Sequence, residues 1–168
     1  MLKPDSLRAW LTDAIPEIKA EPSRLQIHIE RGSVRSLGAP INGLAWEYRY
    51  ALSAIALDLT THPDAVFAAL IGWVSIYQTE LLQSFDKNRQ GIAFDVEVLD
   101  AKKIDLDIRL ELTEVVRAIP RPGGGHTIIH DPEPPQAGMD QWPDGPAEPP
   151  PIRSIWIGDE LVAELPDG

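Results

Sequence analysis

The sequence predicts an α/β (α+β) body, an antiparallel β-sheet covered by two helices in the order α-β-β-α-β-β, with a Pro/Gly-rich linker and a C-terminal β-hairpin behind it. Three observations predict this. Apolar residues recur at helical spacing in two segments. Apolar and polar residues alternate in four others. Ten of the sixteen prolines crowd between Pro120 and Pro151.

The first helix starts near Pro4, where a first turn tolerates proline, with Asp5 and Ser6 as first-turn acceptors. Leu7, Trp10, Leu11, Ala14 and Ile18 then set one stripe toward a core. Pro16 kinks or splits this helix, because it cannot donate to the Thr12 carbonyl. Leu25, Ile27 and Ile29 alternate with Gln26, His28 and Glu30 as a half-buried strand does. A longer strand runs from Trp46 toward Leu59, with Trp46, Tyr48, Tyr50 and Leu52 on one face. Thr61-His62-Pro63-Asp64 marks a second helix, about residues 63–82, that is apolar on nearly every side. Such a helix is buried on more than one face. Its extra face meets either the first helix or another subunit. Two further strands follow. Ile92, Phe94, Val96 and Val98 form one apolar row, and Ile104, Leu106, Ile108, Leu110 and Leu112 form the other. Asp95, Glu97, Asp105, Asp107, Arg109 and Glu111 point the opposite way.

The body is expected over residues 1–119, the linker over 120–151 and the hairpin arm over 152–168. Proline lacks the ladder donor and glycine costs ordering entropy, so the linker is expected to form neither helix nor sheet. The arm reads Ile155, Trp156, Ile157, a Gly158-Asp159 turn, then Glu160, Leu161, Val162 and Ala163. A lone hairpin is marginal in water, so this one must dock. A flexible 32-residue linker spans roughly 30 Å, and an extended one up to about 100 Å. The body's radius of gyration is about 13–14 Å. A neighbouring molecule is therefore within reach and is the expected dock, with the chain's own body, which needs a much shorter tether, as the alternative. Ile155, Trp156, Ile157, Leu161 and Val162 are the expected protein-interaction residues.

Composition narrows the function. Fifteen Lys+Arg against 26 Asp+Glu leave a net charge of −11, which argues against binding nucleic acid or anionic membrane through phosphate contacts. The absence of cysteine removes disulfides, thiol catalysis and cysteine-zinc sites. The N-terminus lacks the apolar core of a signal peptide, and the longest near-apolar stretch, residues 65–76, is too short to span a bilayer. His126 and His130 have the i, i+4 spacing of a helical metal pair, but a triple glycine and Asp131-Pro132 flank them. Gly123-Gly124-Gly125 has no following Lys-Ser/Thr, and Ser6, Ser33 and Ser75 have no nucleophile-elbow setting. No cofactor, metal or catalytic residue is expected.

MLKPDSLRAWLTDA at the start, WEYRYALSAIALDLT from Trp46 to Thr60, LTE from Leu112 to Glu114, and IWIGDELV from Ile155 to Val162 resemble the tail completion protein R (GpR) family of contractile-tailed temperate phages. The linker departs from it, being longer and richer in glycine. The resemblance implies a virion structural protein and no enzyme. Its implied role is a tail terminator-like component that caps the tube at the head-proximal end and makes it competent for head joining. By fold analogy it implies a homo-oligomeric ring, six-fold in tail terminators. Implied partners are further copies of the chain, tail tube and sheath proteins and head–tail connector proteins, with no sequence-specific nucleic acid and no membrane. The implied location is the virion tail, after assembly in the host cytoplasm. A transient assembly chaperone or connector, and a hydrolase using the acidic face with His126 and His130, are the competing classes.

Overall fold

The computed structural model describes residues 1–38, 43–83, 91–100, 103–133, 154–157 and 159–164. Helix α1 (Lys3–Ala14) carries Pro4 in its first turn. Pro16 ends it: Ile15 takes an extended backbone (φ −106°, ψ 111°), and α2 (Pro16–Ala20) starts at once. The proline splits the helix, and both halves still bury their stripe, through Leu7, Leu11, Ile15 and Ile18. A 3-10 turn, Pro22–Arg24, leads into the sheet.

Strand β1 (Leu25–Ser36) pairs with β2 (Leu44–Leu59), and β2 pairs with β4 (Ile104–Pro120). On the far edge of β4 lie β3 (Ile92–Val98) and, further along, β5 (His126–His130). Every pairing is antiparallel, and a bulge between Ile29 and Arg31 interrupts β1. The helices cover one face of this five-stranded sheet. Leu52, Ala54, Leu106, Ile108, Leu110 and Leu112 fill the core beneath them.

Three expectations need correction. The sheet has five strands, because β5 lies inside the segment read as a linker without ladders. The run HTIIH contains neither proline nor glycine and is rich in β-formers. Gly123, Gly124 and Gly125 adopt φ of 89°, 102° and 81°, which only glycine takes easily, and fold β5 back on β4. Described body structure thus extends to residue 133. The second helix, α3 (Pro63–Tyr77), stops before Leu82. Gln78 breaks it, and a short α4 (Glu80–Gln83) follows. Finally, the apolar row of β3 is covered only in part: Ile92 packs against the core and the Phe67 ring of α3 meets Phe94 edge-on at 4.9 Å, yet Phe94 stays 55% and Val98 71% exposed.

The start of α3 follows the sequence: His62 caps it, its Nδ1 accepting the Asp64 N–H at 3.2 Å, with Pro63 in the first turn. Its extra apolar face meets α1. Trp10 Nε1 donates to the Ala69 carbonyl at 2.9 Å, and Trp73 Nε1 to Ser6 Oγ at 3.0 Å. The Tyr77 ring sits against both tryptophans. Trp73 is fully buried, and burial of a side chain this size contributes about 3 kcal/mol.

Candidate assembly surfaces

The inward row of β4 runs Leu106, Ile108, Leu110, Leu112 and then meets Glu114, 5% exposed, before Val116 and Ala118. A carboxylate there must be satisfied or it costs several kcal/mol. Glu114 accepts from the Leu2 N–H (2.8 Å), the Lys3 N–H (3.4 Å) and Tyr50 Oη. The first two donors are orphan amides at the start of α1, so a residue 112 positions away caps this helix. Burial alone would raise the Glu114 pKa; the bonds from Tyr50, Leu2 and Lys3 outweigh it and hold the carboxyl below its ordinary value. Burial, with the same carboxylate, pushes the Tyr50 hydroxyl far above the usual tyrosine range, so it stays a donor. His130 Nδ1 on β5 lies 3.0 Å from Glu114 Oε2, in a geometry short of a hydrogen bond.

Beside this group, β4 has a gap on its far edge between β3 and β5. Gln78 plugs it: its Oε1 accepts the Thr113 N–H at 3.0 Å, and its Nε2 donates to Thr113 Oγ1 at 3.2 Å. The same Oε1 accepts from Lys3 Nζ at 2.8 Å, and Lys3 also pairs with Glu133. Burial lowers the Lys3 pKa, against the pull of the Glu133 and Glu114 carboxylates. This use of Gln78 is why α3 ends where it does. The cluster ties α1, α3, β4 and β5 together; it is a structural lock.

The uncovered face of the sheet is sorted by charge. Asp95 stands opposite Asp107 and Glu97 opposite Asp105, like-charge pairs that destabilise a ladder. Arg109 reaches Asp107 (2.7 Å), Asp95 (3.1 Å) and Glu30 (3.4 Å). Next to it is a recess of about 250 Å³, lined by Ile55, Leu57, Asp95, Val96, Glu97, Asp105 and Asp107. Across the sheet, the same face of β1 carries His28, Arg31, Ser33 and Arg35.

The C-terminal arm forms β6 (Ser154–Ile157) and β7 (Glu160–Glu164), paired antiparallel with Ile157 opposite Glu160. Trp156 faces Leu161 across the pair, so the two share one side of the hairpin; they are 57% and 43% exposed. β7 runs beside α1 and α3 of its own chain. The expected interaction residues Ile155, Ile157 and Val162 lie on these strands, but their side chains, like residues 134–153, fall outside the described residues.

The other candidates separate. His126 and His130 sit on a strand, where four residues span roughly 13 Å, too far for one ion. Among the described residues, no group of three or more His, Cys, Asp or Glu could hold a metal ion. Ser6 accepts from Trp73, and Ser75 donates to the Gly72 carbonyl at 2.8 Å. Sequence reasoning passed over Glu114, whose signal was a single carboxylate on the apolar row of β4.

An antiparallel sheet with, among the described residues, two unpaired edges, and a separate two-stranded hairpin, are features of the class of structural assembly proteins. Residues 1–134 match the family model of the P2 phage tail completion protein R (GpR), and the chain belongs to that family. Tail completion protein R of Escherichia phage P2 is 33% identical over 137 residues, which cover 81% of this chain and 87% of the relative. The family match runs just past β5 and stops before the hairpin. No solved structure matches.

Proposed function

We propose that this protein completes the tail of a contractile-tailed phage. It closes the head-proximal end of the tube as a ring of identical copies and makes the tail competent for head joining, as a resident virion component assembled in the host cytoplasm. The family match over residues 1–134, with its named relative in phage P2, carries this reading. A ring needs a head-to-tail interface that closes, and the two sheet edges, unpaired among the described residues, supply two different surfaces for one. In the assembled tail the arm exchanges its place beside α1 and α3 of its own chain for a neighbouring copy or a tube or sheath protein, strapping on through Ile155, Trp156, Ile157, Leu161 and Val162. The head–tail connector is then the next partner.

The test is electron microscopy of particles from a producing strain with and without this gene. Tails of uncontrolled length, or tails of normal length that never join heads, are expected in its absence. Infectious particles without it would refute the role. Purified particles that lack the protein but require it for assembly would instead establish a transient chaperone.

A further inference from the structure

We propose that the ring interface is a continuous β-sheet, with the outer edge of β1 in one copy pairing with β3 of the next. This rests on the ring reading above and names the contact that builds the ring.

Strand direction allows it. β1, β2, β4 and β3 stand side by side, each antiparallel to its neighbour, so β1 and β3 run in opposite senses at opposite edges. Copies repeated in one orientation therefore bring β3 against the next β1 as one more antiparallel pair. Repetition also keeps the faces matched. On the helix side, β1 presents exposed Ile29 and Val34, and β3 presents exposed Phe94, Val96 and Val98. Pairing buries these apolar rows against each other, and isolated exposed edges are what sheets otherwise avoid.

On the open side the charges are complementary. Arg35 on β1, joined by Arg31 as it exchanges its exposed 3.1 Å pair with Glu111, meets the acidic corner of Asp95, Glu97, Asp105 and Asp107. Among the described residues, Glu97 and Asp105 hold no ion pair, because Arg109 reaches only Asp95 and Asp107 there. An incoming arginine can lay its apolar stem on Ile55 and Leu57 in the recess and its guanidinium among the carboxylates. The structure also marks which part of β1 is open. Arg8 from α1 donates to the Leu25 carbonyl (2.9 Å) and the Ile27 carbonyl (3.4 Å), closing that end of the edge. Among the described residues the stretch from Ile29 to Ser36 remains open, and it holds both arginines. Docking there offsets β3 along the strand direction, and closing a sheet on itself requires such a stagger.

The chain has no cysteine, so engineered ones report cleanly. Tails assembled with the Val34→Cys, Val96→Cys double variant, treated with a flexible bismaleimide, should give a ladder of covalent oligomers. Either single variant should give none. Arg35→Glu and Glu97→Arg should each lose incorporation into tails, and the two together should restore it, since every interface then carries both changes. Thermal melts confirm that each variant folds. A ring visible on the tails without a ladder, dimers from a single-cysteine variant, or a double charge variant as defective as its parents would overturn this interface and leave the ring standing. Tails carrying no multi-copy ring would remove the ring reading and the interface with it.

Discussion

Glu114→Ala should be among the most destabilising substitutions of a polar residue in this protein, and its coupling to Tyr50 gives the sharper test. The change strips the acceptor from the Leu2 and Lys3 amides and from a buried tyrosine hydroxyl. Loss of an N-terminal helix cap costs about 1 kcal/mol. A buried hydroxyl left without a partner costs about 1–3 kcal/mol, and the lost charge assistance adds about 1 kcal/mol. The sum is about 3–5 kcal/mol, against a total stability of about 5–15 kcal/mol. At about 2–4 °C per kcal/mol for a chain this long, the melting temperature should fall by about 10 °C. Tyr50→Phe alone removes one bond and should cost about 1 kcal/mol. With Ala already at position 114 it removes the orphaned hydroxyl, so its cost should vanish or change sign. Urea titrations followed by tryptophan fluorescence give the full double-mutant cycle. If Tyr50→Phe costs the same in both backgrounds, the hydroxyl does not depend on Glu114, and the lock has been misread.

Acid should weaken the fold through two carboxyls. Burial would raise Glu114 and Glu17, but hydrogen bonds hold both below the ordinary value, those to Glu17 coming from Thr60 and Thr61. The unfolded chain therefore takes up protons first, near pH 4, so their contribution is complete above that pH and lost as pH falls through the folded-state values. Melting temperatures against pH should show this, with a shallower acid slope in Glu114→Gln. Gly43→Ala should cost about 1–3 kcal/mol, since a Cβ there would lie 2.4 Å from the Ala118 carbonyl oxygen, backbone that cannot step aside; denaturant midpoints read the loss. Deleting residues 152–168, or Trp156→Ala, should leave a folded body by circular dichroism and abolish incorporation into tails. Normal assembly of either variant would show that the arm is not a strap.

Most of the body was legible because its strands and helices obey one period each. The β4 alternation, the Pro16 break and the His62-Pro63 start all act within a few residues, where a sequence is most informative. The misses are long-range. Gln78 ends α3 because of an orphan amide at Thr113, 35 positions away, and no local pattern announces that. β5 was hidden by composition: averaged over residues 120–151, five ladder residues vanish among prolines and glycines. The row on β3 was read correctly as apolar, but its helical cover reaches only the end that holds Ile92 and Phe94, because alternation tells which face a residue takes and not what lies above it. Glu114 was quoted within LTE without a role, although a carboxylate on the apolar row is itself a request for partners.

That half-covered row also explains why the two edges of the sheet are treated differently. An open edge invites uncontrolled pairing, and proteins blunt such edges with charge or by covering them. Here Arg8 closes one end of β1, while among the described residues the rest stays open beside Arg31 and Arg35. β3 stays open too, but stacked carboxylates face one another across its ladder to β4, a local cost that a visiting cation would relieve. Two copies of β3 would repel each other, as would two copies of the basic stretch of β1. Only the mixed, head-to-tail pairing matches both charge and apolar rows. On this reading the acidic corner is the element that forbids an edge-to-edge dimer, and Glu97→Arg alone should damage assembly by removing that discrimination without harming the fold.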